Sequence, residues 1–163
     1  MQDYPLSYYA ATAAPPPETS TLDGDRTTDV CVVGAGFTGL STALHLAGRG
    51  YDVTVLEAQR IGWGASGRNG GQVGSGQRRE TLALEKLYGP ATTRILWNLA
   101  EEAKQILQTH IEQRTIQCDY RPGNLMGITR LRFVDEVRAE LDNLAQNYGY
   151  EAIEFLDADR MGA

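Results

Sequence analysis

The sequence predicts an α/β fold organised around a parallel sheet, and three consecutive segments predict it. Val30-Cys31-Val32-Val33 is a short unbroken apolar run of the kind that fills a strand buried on both faces. After a glycine turn, Leu40, Ala43, Leu44 and Ala47 recur at helical spacing, and Gly50 is placed to end that helix in the left-handed conformation. Val53-Thr54-Val55-Leu56 supplies a second β-rich run. Strand, helix and strand joined by short links mean a right-handed parallel crossover, and a doubly wound sheet is its natural setting.

The other elements follow from the same patterns. Residues 1–28 run from Tyr4, Tyr8 and Tyr9 through Pro15-Pro16-Pro17 to a stretch rich in Thr, Ser and Asp. They read as an extended N-terminal arm, its tyrosines available to pack on the body of the protein. Thr81 to Tyr88 forms a short helix ended by Gly89, and Pro90 opens the next one. In that helix Leu96, Leu99, Ala103, Ile106, Leu107 and His110 or Ile111 make one apolar stripe, which predicts a core-facing face. Cys118 to Arg130 reads as two short strands around the turn Pro122-Gly123-Asn124. Val134, Val137, Leu141, Leu144 and Tyr148 mark another amphipathic helix closed by Gly149. Ile153 to Leu156 is one more strand, and Asp157 caps a helix that the sequence ends before building.

Composition narrows the function classes. The 163 residues allow one domain with its own core, and a net charge of -6 argues against a polyanionic partner such as nucleic acid. No basic, apolar leader opens the chain and no run of about 18 apolar residues could span a bilayer, so a soluble cytoplasmic protein without a membrane partner is expected. Cys31 and Cys118 form no CxxC pair and suggest neither a disulfide nor a metal site. Cys31 reads as a small core residue and Cys118 as structural. His45 and His110 sit in no recognisable motif, and neither is a candidate base.

The chemistry begins at Gly34-Ala35-Gly36-Phe37-Thr38-Gly39, a G-x-G-x-x-G that directly follows the first strand and opens the first helix. Gly34 permits the tight turn, Gly36 lets the backbone approach a diphosphate, and Gly39 lets helix and sheet pack closely. The helix N-terminus then presents unpaired N–H groups and a positive dipole end to the phosphates. Glu57 stands 18 positions beyond Gly39, at the end of the second strand. A carboxylate there accepts hydrogen bonds from ribose hydroxyls and repels the 2′-phosphate of NADP. The segment therefore predicts a dinucleotide site, open at this point to NAD or FAD.

Residues 62–76 contain seven glycines, and between Ala58 and Arg79 lie four arginines, Arg60, Arg68, Arg78 and Arg79, with no acid. Such a loop, with Ser66, Asn69 and Gln72, offers donors to an anion and to a polar chain lying against it. Gly62-Trp63-Gly64-Ala65-Ser66-Gly67-Arg68-Asn69-Gly70-Gly71-Gln72, following Leu56-Glu57-Ala58, resembles the loop of the D-amino-acid oxidase-like flavoprotein superfamily. Within it, the segment is most similar to the gamma-glutamylputrescine oxidase-type amine oxidases. The resemblance implies a Rossmann-like FAD-binding domain over residues 29–163, with FAD held by Gly34 to Gly39, Glu57, Ala58 and Gly64 to Gln72. Where some members attach flavin through a histidine in this loop, this one reads Arg68-Asn69-Gly70, which implies non-covalent FAD.

The resemblance further implies oxidation of an amine or amino acid, with hydride transfer to the flavin and reoxidation by dioxygen or another acceptor. Relatives are longer two-domain flavoproteins. The chain is expected to be their N-terminal portion, with the first elements of the substrate domain beginning after about residue 118. On that expectation the chain alone is inactive, no catalytic residue can be assigned, and apolar surface is exposed where the missing C-terminal portion docks. Two other readings stay open here: an NAD-binding dehydrogenase domain, and a non-catalytic flavin-binding subunit.

Overall fold

The computed structural model describes residues 3–161. The chain divides into two compact units, one through Gln72 and one from Val73.

The first unit opens with the arm, which is not wholly extended: Tyr8–Thr12 forms the short helix α1, capped by the Ser7 side chain accepting from the Ala10 N–H. Strand β1 (Val30–Val33), helix α2 (Phe37–Ala47) and strand β2 (Val53–Leu56) follow, as the hydrophobic pattern predicts. The strands pair in parallel, Val30 opposite Val53 and Val33 opposite Leu56. The ladder is tied at one end by Asp29 and Val30 N–H groups donating to the Asp52 carbonyl, both at 3.1 Å, and at the other by the Gly34 N–H donating to the Leu56 carbonyl at 2.7 Å. Helix α2 ends at Ala47 with Gly48 as a right-handed cap, and Gly50, expected as the terminator, reaches φ +90° two residues later, its N–H donating to the Ala47 carbonyl.

One expectation for this sheet fails. Strand β1 is not buried on both faces: Val30 and Val32 are half-buried, Cys31 is exposed and Val33 is 84% exposed. The alternation follows from the pleat, which sends successive side chains to opposite faces. Helix α2 packs on the sheet, and Cys31 and Val33 share the exposed face of β1, so Cys31 is a surface residue of this unit and not part of its core.

The second unit rests on two helices. Helix α3 (Thr81–Gln113) is broken at Gly89, whose φ of 79° and ψ of 159° lie outside helical space, so the predicted stop at Gly89 and restart at Pro90 are both present. Thr93 is fully buried and its hydroxyl donates to the Gly89 carbonyl at 2.9 Å, which satisfies an acceptor freed by the break. Helix α4 (Val134–Tyr148) ends at Gly149 in the left-handed conformation, as expected. Its Leu144 is buried, as are Leu84 and Trp97 on α3, and Trp97 packs against Tyr148 and Tyr150 with ring centroids 5.4 and 5.2 Å apart.

Helix α4 also closes the start of α3. The Glu140 carboxylate accepts from the Thr81 N–H and hydroxyl, each at 2.7 Å, and from the Leu82 N–H at 3.1 Å. Asn143, itself buried, donates to the Thr81 hydroxyl at 2.9 Å. A carboxylate at a helix N-terminus satisfies orphan donors and complements the dipole, here supplied by a residue 59 positions away. A short helix α5 (Ala158–Met161) closes the described chain, with the Asp157 side chain accepting from the Arg160 N–H, so the predicted cap is present.

Three expectations for this unit fail. The stripe on α3 does not face a core throughout: Leu99 is 54% exposed, and Ile106 and Leu107 are exposed too, while the buried positions after the break are Thr93 and Trp97 on an adjacent stripe. Cys118 to Arg130 holds no strand, only coil leading to a 3-10 turn at Leu131–Phe133. Asp119 there has φ 51°, which interrupts any extended run, and residues 122–124 form no turn, although Gly123 has φ 99°. Ile153 to Leu156 is likewise coil. Neither segment has a neighbouring strand among the described residues, and a lone hairpin or strand without a sheet is at best marginal in water.

Candidate functional site

The predicted site residues of the first unit converge on one peptide, Ala35, in the turn between β1 and α2. Ala35 is 1% exposed. Its N–H donates to the Glu57 carboxylate at 2.8 Å, and its carbonyl accepts the Gly62 N–H at 2.9 Å. The turn is thereby tied both to the end of β2 and to the start of the glycine-rich loop. Glu57 uses its other oxygen to accept the Gln59 N–H at 2.9 Å. These two backbone donors, Ala35 first and then Gln59, hold the Glu57 carboxyl below its ordinary range, so it is ionised at neutral pH with lone pairs left for further donors.

Gly34 makes the turn at φ 100°, a conformation that disfavours any side chain. Gly39 is required for a different reason: a Cβ there would overlap the Gly34 carbonyl and come within 3.3 Å of a Val32 methyl. The start of α2 can therefore lie directly over the end of β1. Its first turn contains no acidic residue and no side chain of its own caps it. Four N–H groups at such a start have no intrahelical acceptor. The Phe37 N–H donates instead to the Ser66 hydroxyl at 2.9 Å, while the Thr38 and Gly39 N–H groups belong to the same first turn.

Ser66 arrives from the loop, where Ala65–Gly67 forms a single 3-10 turn. Gly67 is held so close to the Gly62 carbonyl that a Cβ would overlap it, and a Cβ on Gly36 would stand 3.0 Å from the Ser66 hydroxyl oxygen. The loop is thus folded back against the helix start, with the Ser66 hydroxyl beside the first N–H groups of α2. Asn69 shapes the loop itself: its amide donates to the Ser66 carbonyl at 2.9 Å and its oxygen accepts the Gly71 N–H at 2.8 Å. Ala58, Gly64, Gly70, Gly71 and Gln72 lie on the exposed surface of the same unit.

The arginine-rich character of this stretch is reorganised by folding. Arg68 stacks on the Trp63 ring, 4.0 Å from its centroid, and donates to the Trp63 carbonyl at 2.8 Å. Arg60 pairs with Asp3 of the arm at 2.7 Å, so one of the four charges has an acidic partner that lies outside the acid-free window. Sequence reasoning missed Asp3, and named Tyr4 only among the arm's tyrosines and Gly62 only within the loop that carries the resemblance. Only the aromatic character of the arm hinted that it docks, and no local pattern names its contacts.

An arrangement of this kind suits a dinucleotide diphosphate: helix N–H groups at the start of α2, a neighbouring hydroxyl, and backbone left uncovered by glycine. An ionised carboxylate in the same unit suits ribose hydroxyls. Among the described residues no cluster of side chains is arranged to hold a metal ion, and no helix is long and apolar enough to cross a membrane.

The class these features define is a cofactor-binding α/β unit. The profile of the FAD dependent oxidoreductase family matches residues 29–163, and the chain belongs to that family, whose cofactor is FAD. The chain is 46% identical to gamma-glutamylputrescine oxidoreductase of Escherichia coli (strain K12) over 162 residues, covering 98% of this chain and 37% of the relative. It is 36% identical to the probable oxidoreductase OrdL of Rhizobium meliloti (strain 1021), covering 94% of this chain and 36% of that protein. A probable oxidoreductase OrdL of Haemophilus influenzae is 35% identical over 98% of this chain and 37% of its own length. The chain therefore spans little more than a third of the length of these relatives. No solved structure matches it.

Proposed function

We propose that the chain is the FAD-binding part of an oxidoreductase that acts on the C–N bond of an amine or amino acid. The observation that carries this reading is the convergence on Ala35 of the α2 start, the Glu57 carboxylate and the glycine-rich loop. In this reading Gly34, Ala35, Gly36, Phe37, Thr38 and Gly39 hold the diphosphate through backbone N–H groups. Glu57, with Ala58, accepts the adenosine ribose hydroxyls, and Gly64, Ala65, Ser66, Gly67, Arg68, Asn69, Gly70, Gly71 and Gln72 lie along the remainder of the cofactor.

Bound FAD would supply the redox chemistry there, namely hydride acceptance from the carbon beside the substrate nitrogen, which would leave an imine, and delivery of the electrons to dioxygen or another acceptor. The chain's own residues bind and orient. Attachment is non-covalent in this reading, supported by the absence of histidine from residues 62–76. The name of the Escherichia coli relative supports an amine as substrate class. The domain reading is an arm over residues 1–28 and a Rossmann-like FAD domain over 29–163, with the substrate domain beginning after about residue 118. The remainder of a two-domain flavoprotein completes the site in an enzyme of the relatives' length, and the exposed faces of β1 and α3 are where it packs. A cytoplasmic location goes with this reading.

The test is the visible absorption spectrum of the purified chain after FAD is added and excess removed by desalting, with NADH titrated in parallel. A retained flavin band of altered shape is the expected result. A folded sample, shown by circular dichroism, that retains no flavin and binds NADH saturably overturns the reading.

A further inference from the structure

The glycine-rich loop is held from two sides, and only one of them is the α2 start. On the other side lies the N-terminal arm. The Tyr4 hydroxyl donates to the Ile61 carbonyl at 2.7 Å. The Trp63 indole N–H donates to the Asp3 carbonyl at 3.1 Å, and the Asp3 carboxylate pairs with Arg60 at 2.7 Å. The Arg60 guanidinium also lies 5.8 Å from the Tyr4 ring centroid. Further along, the Tyr9 ring is seated against Gly71: a Cβ on that glycine would stand 2.9 Å from the Tyr9 hydroxyl. Residues 3–9 therefore touch both ends of the loop, at 60–63 and at Gly71.

A loop with seven glycines in residues 62–76 has little side-chain packing of its own and a large conformational entropy to lose on ordering. Its intrinsic contacts are the Asn69 bonds, the 3-10 turn and the Arg68 guanidinium on Trp63, all between residues no more than five apart. Through Gln72 its contacts with the rest of the first unit are the Gly62 N–H on the Ala35 carbonyl, the Ser66 hydroxyl accepting the Phe37 N–H, and the arm, whereas Ser75 beyond it accepts from Lys104 and donates to Tyr150. We infer that residues 3–9 form a strap that positions the glycine-rich loop, with Tyr4 and Tyr9 as positioning residues that set its order and thereby the affinity for FAD. The part concerning affinity rests on the reading that this loop lies along FAD. The part concerning order does not. Neither tyrosine need touch the cofactor. They act by lowering the entropy that the loop loses when it closes on a ligand, which is preorganisation.

The experiment compares the full chain with a Tyr4→Ala/Tyr9→Ala double variant and with the conservative Tyr9→Phe, which keeps the ring against Gly71. Two quantities are read: amide hydrogen exchange, without FAD, of peptides covering residues 60–72, and FAD affinity by quenching of flavin fluorescence. In the double variant, exchange in residues 60–72 should rise about tenfold or more while exchange in β1, β2 and α3 stays at the parent level. FAD affinity should fall about tenfold, the loss expected of one or two net hydrogen bonds. Tyr9→Phe should stay near the parent in both. A merely structural role for the arm would instead raise exchange across β1 and β2, and that result overturns the inference. So does unchanged exchange in residues 60–72. A parent chain that is folded but binds no FAD would sink the FAD reading alone, leaving the strap to be judged on the exchange of its loop.

Discussion

The Glu57 carboxylate at the end of β2 accepts the backbone N–H of Ala35, in the turn after β1, at 2.8 Å. This bond joins the acidic residue to the glycine turn, and it holds the carboxylate ionised and in one orientation. The sign of its effect on pH dependence follows. A carboxyl whose folded value lies below its unfolded one stabilises the fold above the ordinary carboxylate range and loses that contribution as pH falls through the folded value. Acid unfolding of the chain should therefore be steeper than that of Glu57→Gln, whose midpoint should vary less between about pH 5 and 3. Glu57→Ala should also weaken FAD binding by about tenfold or more through loss of a charged acceptor, read by fluorescence titration at pH 7.

Two glycines of the turn should fail for different reasons. Gly34 has open space where a Cβ would stand but φ 100°, so Gly34→Ala strains the backbone by about 1–2 kcal/mol. Gly39 has an ordinary helical position but no space, because a Cβ would overlap the Gly34 carbonyl. Gly39→Ala must push α2 off the end of β1, at a cost of about 1–3 kcal/mol. Urea unfolding should show both losses, and only Gly39→Ala should weaken the packing of α2 on the sheet, visible as faster amide exchange in residues 37–47.

In the second unit Glu140 is the cap of α3. Glu140→Ala should cost about 1–2 kcal/mol, as loss of a helix cap does. Differential scanning calorimetry should register a fall of roughly 5–10 °C in the midpoint of this unit. Glu140→Gln keeps an acceptor but not the charge facing the helix dipole, and should fall between the parent and Glu140→Ala.

Tyr148 should mark alkaline behaviour. Burial first, and then its hydrogen bond to Glu85 at 2.7 Å and the charge of that carboxylate, push its hydroxyl up to about 12, with the Arg94 guanidinium opposing. A group raised in the folded state stabilises below its unfolded value and loses that contribution as pH rises through the folded one. Between about pH 10 and 12 the chain should lose stability, and Tyr148→Phe should flatten that loss. Ultraviolet difference titration should show a late-ionising tyrosine, and the same variant should remove it.

Much of the first unit was legible because its signals are local. Apolar runs at 30–33 and 53–56, helical spacing from Leu40 to Ala47, and the glycine turn each depend on neighbours within a few residues, and β1, α2 and β2 formed where these predicted. The same holds for the break at Gly89 and the stop at Gly149. The strands read into Cys118 to Arg130 and Ile153 to Leu156 did not form, because a strand is defined by a partner and composition does not supply one. Burial was misjudged at Cys31 and along Leu99, Ile106 and Leu107 for a related reason: an apolar pattern says which face is suited to a core, not whether anything covers it.

Spacing along the chain was enough to predict the parallel pairing and the glycine turn with its acidic partner, while the family came from the resemblance carried by residues 62–72. Folding in three dimensions was needed to bring Glu57 to Ala35, Ser66 to the Phe37 N–H, Asp3 and Tyr4 to residues 60–63, and Glu140 to the start of α3 at Thr81. These contacts join residues 22 to 60 positions apart. Hydrogen bonds over such separations depend on where the backbone has already been brought, and no local pattern encodes which of many equivalent donors will arrive.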